Sequence, residues 1–246
     1  MDSVRLNSLL ANGAAVTLSE VADGAEALAL AEVARARFKA GVDAPALAVY
    51  VARDGQRQAA IEAGLAFFAP EIEVLSLPAW DCQPFDRASP NAPVVARRMT
   101  TLSRLVRSRG GERPRVVVTT VNALLQRLPP VSWVSTESLS AAPGNAVDIG
   151  DLARWLDING FSRAGTVRDV GEYAVRGGIV DLYPPGPLGA IRLDLFGDVL
   201  ESIKGFDPET QRSTHSVRML DLVPMTEFQL TSGAIRRFRQ GYVATF

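Results

Sequence analysis

Three short apolar runs separated by helical stretches constrain this chain more than any other feature. Residues 46–52 (ALAVYVA), 71–77 (EIEVLSL) and 115–120 (RVVVTT) are each of strand length; the first is a continuous apolar run, and the last reads as another buried strand. Such runs suit strands of a parallel sheet covered on both faces. Between them, residues 54–68 offer Ala59, Ala60, Ala63, Leu65 and Phe67 for a packed helix. Residues 93–109 place Val95, Met99, Leu102 and Val106 at helical spacing, with Arg97, Arg98, Arg104 and Arg107 facing away. Strands alternating with helices predict a doubly wound α/β unit.

Ahead of these runs, residues 4–18 predict a short helix and then a strand at 14–18, and residues 27–38 a further helix of strong propensity. Strand, loop and helix in that order is where a nucleotide-binding protein places its phosphate loop. Such a loop needs several glycines, a lysine for the β and γ phosphates and a Ser or Thr for magnesium. The loop here has Gly24 alone, no lysine before Lys39, and three acids, Glu20, Asp23 and Glu26, that repel a triphosphate. No ATP site of that kind, and no other cofactor, is expected.

Composition narrows the chemistry further. The chain has 246 residues, 47% hydrophobic and 22% charged, enough for up to two average domains with closed cores. A net charge of -1 gives no global argument for nucleic acid or an anionic membrane. No apolar run approaches the roughly 20 residues of a membrane span, so the cytoplasm is the expected location. Cys82 is the only cysteine and His215 the only histidine, which excludes a Cys/His zinc site and most nucleophile–base dyads within the chain. His215 reads as a loop or strand-edge residue. Lys39 and Lys204 are the only lysines, so the cationic charge is almost all arginine. It is densest from Arg97 to Arg115, where a solvated helix face and a set of phosphate contacts are both open readings.

After a short helix at 121–128, Pro129 and Pro130 mark a boundary. Beyond it the pattern changes to α+β. It predicts a strand at 131–135, a helix at 148–159 closed by Gly160, and strands near 163–170, 172–183 and 191–196. Gly197-Asp198 signals a hairpin and Asp207-Pro208 a turn. Residues 217–223 predict a strand returning to the first unit, and 232–246 a helix without a C-cap, as in a piece of a longer polypeptide. Within residues 171–186, alternation sends Glu172, Ala174 and Arg176 to one face and Tyr173 and Val175 to the other. Gly177 and Gly178 suggest a bulge or a close backbone approach, and Pro184-Pro185-Gly186 ends the pairing.

Two stretches carry a family resemblance: LPAWDCQPFDRASP at 77–90, a proline-rich loop holding Trp80 and Phe85, and GEYAVRGGIVDLYP at 171–184. With VVTTVNALLQR at 117–127, IRLDLFGDVLESI at 191–203, Phe206-Asp207 and Gln211-Arg212, they resemble, in order, the N-terminal region of bacterial transcription-repair coupling factors. That region is in turn similar to the first domains of the excision-repair helicase UvrB. The resemblance implies a degenerate helicase-like parallel-sheet domain (1–130), an inserted α+β domain that binds the damage-recognition ATPase UvrA (131–213), and a return segment (214–246). It implies a noncatalytic adaptor that recruits UvrA where RNA polymerase has stalled, with DNA and polymerase contacts and ATP-driven translocation elsewhere in the parent chain. A distant C-terminal domain of that chain is implied to mask the UvrA surface.

Residue by residue, the resemblance carries a UvrA-binding role to Arg163 and Arg176, and more weakly to Arg192, Asp194 and Tyr173. Ala174 stands where UvrB has an arginine. The alternative from another class is a nucleotide-dependent helicase or DNA-binding fragment, resting on the Arg97 to Arg115 stretch.

Overall fold

The computed structural model describes residues 15–22, 24–39, 47–83, 86–107 and 113–245. The expected helix from residue 4 lies outside them. The chain forms two compact units, one of residues 1–81 and 107–127, the other of residues 82–106 and 128–246.

In the first unit, helix α1 (Ala25–Lys39), strand β1 (Leu47–Ala52), helix α2 (Gly55–Phe68), strand β2 (Glu73–Leu77), strand β3 (Arg115–Thr120) and a short helix α4 (Val121–Leu125) follow the predicted alternation. The strands form a parallel sheet in the order β1-β3-β2. Central β3 is buried along its whole length, in keeping with the apolar run Val116-Val117-Val118 at its middle. One face packs Ala48, Val116 and Val118 against Ala27, Ala31, Ile61 and Leu65 of the two helices. Asp54 caps α2 by accepting the Arg57 N–H. The described part of the expected strand at 14–18 joins no sheet.

The second unit holds α3 (Ala92–Arg107), α5 (Val131–Glu137), β4 (Leu139–Ala141), α6 (Ile149–Ile158), β5 (Ser162–Arg163), β6 (Glu172–Arg176), β7 (Ile179–Leu182), β8 (Ile191–Phe196), β9 (Val199–Phe206), β10 (Ser213–Ser216), β11 (Leu220–Leu222) and α7 (Ser232–Thr245). Its main sheet runs β10-β9-β8-β7-β6-β5, antiparallel except for the β5–β6 pair. The inner face, Tyr173, Val180, Leu182, Ile191, Leu193, Leu200 and Ile203, closes the core against Leu152 and Leu156 of α6 and Leu220 and Leu222 of β11. Asp148 caps α6, and Gly160 follows it with the positive φ a helix-ending glycine supplies.

Five expectations are corrected. Residues 131–135 are helical, not extended: Pro130 starts the turn and Val134 alone is buried, so tertiary packing overrides the β preference of two valines. The strand near 163–170 is two residues long because the Glu172 carboxylate accepts the Arg168 and Asp169 N–H groups and turns the chain. The 172–183 segment is a hairpin, with Arg176 opposite Ile179 and Gly177 at positive φ in the first turn position, where type II′ turns take glycine. The close backbone approach is there: a side chain at Gly178 would meet the Leu195 carbonyl at 2.6 Å. Residues 220–222 pair with β4 inside the second unit, not with the first unit.

The fifth correction concerns α3. Arg98 does not face solvent: it is buried, and its fork meets Glu227, Nε donating to Oε1 at 2.5 Å and Nη2 to Oε2 at 3.2 Å. Arg115 is also buried, so the densest arginine stretch places two of its members inside the protein.

Candidate functional site

Cross-strand register sorts the charged residues of the main sheet into two rows on its outer face. One row aligns Ala174, Asp181, Arg192 and Lys204, and the next aligns Arg176, Ile179, Asp194 and Ser202. Partners in register point to the same side, so these side chains share one face, on which Ala174 is buried in a small apolar cluster with Val167, Ala190 and Phe206.

Asp181 lies at the centre of this face, 0% exposed. Arg192 grips it with two parallel bonds, Nε to Oδ1 at 2.7 Å and Nη2 to Oδ2 at 3.0 Å, the bidentate geometry that suits guanidinium and carboxylate. The Arg192 guanidinium also lies over the Phe206 ring, 5.3 Å from its centroid, and the bond to Asp181 raises its pKa. Arg176 donates Nη2 to Asp181 Oδ2 while its side chain stays 47% exposed. Asp194 accepts from Ser202 and from Lys204 at 2.7 and 2.9 Å; burial pushes its pKa up, but those bonds hold it below the usual carboxylate value.

The sequence-predicted residues do not all meet. Arg176, Arg192 and Asp194 share the outer face. Arg163 is exposed but sits in register with Tyr173, whose side chain leaves the opposite face, toward α6. Tyr173 is 1% exposed, and its hydroxyl donates to Asp157 of α6 at 2.7 Å. Its side chain is committed to the fold and offers no surface to a partner.

Burial first, then the bond to Asp157, pushes the Tyr173 pKa up to about 12. Folding therefore favours the protonated phenol. The stabilisation is whole below the ordinary value of 10.0 and is lost as pH rises through about 12. In an ultraviolet titration of the four tyrosines, one should ionise near pH 12, and Tyr173→Phe should delete that step; a titration complete by pH 11 would contradict the assignment.

Two features of the face escaped sequence reading. Asp181 was not singled out, because only register shows that it stands between Arg176 and Arg192. Phe196, 77% exposed, and its partner Val199 lie beyond Asp194 at the hairpin end, with Ile179 beside Arg176. An exposed aromatic and two aliphatics beside an arginine have the composition of an interface anchor. The alternation of Ile191, Arg192, Leu193, Asp194, Leu195 and Phe196 was the available signal, since it puts Phe196 on the Arg192 side.

Residues 139–228 match the family described as the UvrB interaction domain, which places most of the main sheet and α6 in that class of module. Over 180 residues, 73% of this chain, it is 36% identical to the transcription-repair-coupling factor of Rickettsia bellii. Identity to that of Escherichia coli is 32% over 198 residues, 80% of the chain, and to that of Haemophilus influenzae 29% over 229 residues, 93% of the chain. Over most of its length the chain is thus similar to part of the transcription-repair-coupling factors, as the motifs at 77–90 and 171–184 predict. It spans about a sixth of the length of these curated relatives, 16%, 17% and 19% of the three. Among the described residues, no helix is long and apolar enough to cross a membrane.

Proposed function

We propose that this chain is a noncatalytic adaptor that docks UvrA through the outer face of its main sheet and so brings the excision machinery to stalled RNA polymerase. The observation that carries the reading is that the stretch matching the UvrB interaction domain contains a partly exposed arginine, Arg176, beside exposed apolar residues on one sheet face. Arginine forks bind carboxylates in pairs of parallel bonds, and arginine and large aromatics dominate interface energies. Contacts with polymerase and DNA, ATP-driven translocation, and masking of the face by a C-terminal domain belong, in this reading, to the rest of a longer parent.

The first unit is read as a helicase-like domain that has lost its fuel site. Its parallel sheet and flanking helices suit that ancestry. At the start of α1, where a phosphate loop would hold its ligand, the Glu26 carboxylate accepts from Tyr50 at 2.8 Å and binds Arg57. The Arg57 bond, then that of Tyr50, lowers the Glu26 pKa and keeps a negative charge where a triphosphate would need cations. The chain is accordingly proposed to need no cofactor. The helicase or DNA-binding reading has less to stand on with Arg98 and Arg115 buried.

The test is to load the chain with UvrA on a sizing column and, in parallel, to titrate it with fluorescent ATP. Co-elution without nucleotide binding is expected. A wild-type chain that elutes apart from UvrA removes the adaptor reading, and saturable ATP binding removes the noncatalytic one.

A further inference from the structure

Among the described residues, Asp181 is the one fully buried acid on the main sheet, and both of its oxygens are taken by arginines of the outer face. We infer that Asp181 is the positioning residue of the docking face: it fixes the Arg176 guanidinium for a carboxylate of the partner, with Arg192 as its brace. This rests on the docking role proposed above and assigns separate parts to Arg176, Asp181 and Arg192.

The geometry divides the labour. Arg192 is spent inside the protein: its fork closes on Asp181, its plane covers Phe206, and Nη1 points at the Gln211 carbonyl and the Ser213 hydroxyl at 3.4 and 3.5 Å. Its side chain is 18% exposed, too little to receive a second carboxylate fork. Arg176 gives Asp181 one nitrogen, Nη2, and no other bond from its guanidinium reaches a described residue. Its Nε and Nη1 remain for a ligand. A free arginine must lose rotamer freedom on binding; one already tied to a buried anion has lost much of it on folding. Without Arg192, Asp181 would keep a single, half-exposed partner, so the brace holds the carboxylate in place. The partner this site fits is an acidic segment of UvrA that adds its own carboxylate to the guanidinium hydrogens of Arg176 that Asp181 leaves open.

Asp181→Asn keeps the size of the side chain and removes the anion. Its affinity for UvrA should fall about fivefold to tenfold, the cost of immobilising one long side chain at binding. The effect should vanish in an Arg176→Ala background, because Asp181 acts through Arg176. Unchanged or tighter binding by Asp181→Asn would mean that Asp181 competes with the partner for the arginines, and would overturn the inference. So would an equal loss in the Arg176→Ala background, which a merely structural role gives. A second measurement needs no variant: side-chain nitrogen relaxation in the free wild-type chain should find the Arg176 Nε–H group rigid and that of Arg163, which bonds no described residue, mobile. Equal mobility overturns the inference even if Asp181→Asn fails to fold. If the wild-type chain does not bind UvrA, the adaptor reading falls alone, and the relaxation result still decides whether Asp181 fixes Arg176.

Discussion

Replacing Glu227 by glutamine is expected to cost the second unit about 3–5 kcal/mol, the usual penalty for breaking a buried ion pair by removing one of its members. The side chains of Arg98 and Glu227 are 0% and 4% exposed, so water cannot take over the lost bonds. The pair joins α3 to the segment after β11 across 129 residues of sequence, so its loss frees a long-range tie. Changing both residues together, Arg98→Met with Glu227→Leu, should cost less than the sum of the two single changes, because both members of the buried ion pair are removed at once. The exposed pair of Arg154 and Asp151, with side chains 69% and 72% exposed, is the control and should be worth no more than about 0.5 kcal/mol. Amide hydrogen exchange at Leu193, in the centre of β8, reports the opening of this unit directly. Wild-type protection in Glu227→Gln would sink the prediction.

The second large effect is expected at the docking face. Arg176→Ala should weaken UvrA binding by roughly thirtyfold, about 2 kcal/mol, the loss typical of a central arginine anchor. Phe196→Ala tests the apolar part of the same face and should act in the same direction by shedding an aromatic anchor. Arg163→Ala distinguishes two footprints. Because Arg163 is aligned with the opposite face, a partner confined to the outer face leaves that variant at wild-type affinity, whereas one that wraps around the β5 edge does not. Titration calorimetry of the three variants against UvrA separates these results. Arg176→Ala binding as tightly as wild type would remove Arg176 from the site.

Much of the local structure was legible because it depends on neighbours in sequence. Asp54 and Asp148 announce helix starts since each carboxylate reaches an N–H three residues on, and Gly197-Asp198 makes a turn wherever two compatible strands flank it. The segment at 131–135 was misread for the same reason: two valines argue locally for a strand, and only packing around Val134 argues otherwise. Arg98 illustrates the limit from the other side. Helical spacing puts it among solvent-facing arginines, and nothing nearby in sequence reveals that Glu227 waits for it.

By itself the sequence determined the alternating parallel-sheet pattern of the first unit, the absence of a phosphate-loop lysine, the family motifs, and the parity that sends Arg176 and Tyr173 to opposite sides of one strand. Tertiary structure alone decided that Gly177 and Gly178 turn a hairpin, that Arg163 and Arg176 serve different faces, and that a buried Asp181 sits between Arg176 and Arg192. The division follows from the physics: side-chain direction within a strand repeats every two residues and is fixed locally, whereas which strands lie side by side, and in what register, depends on how the whole sheet closes its core.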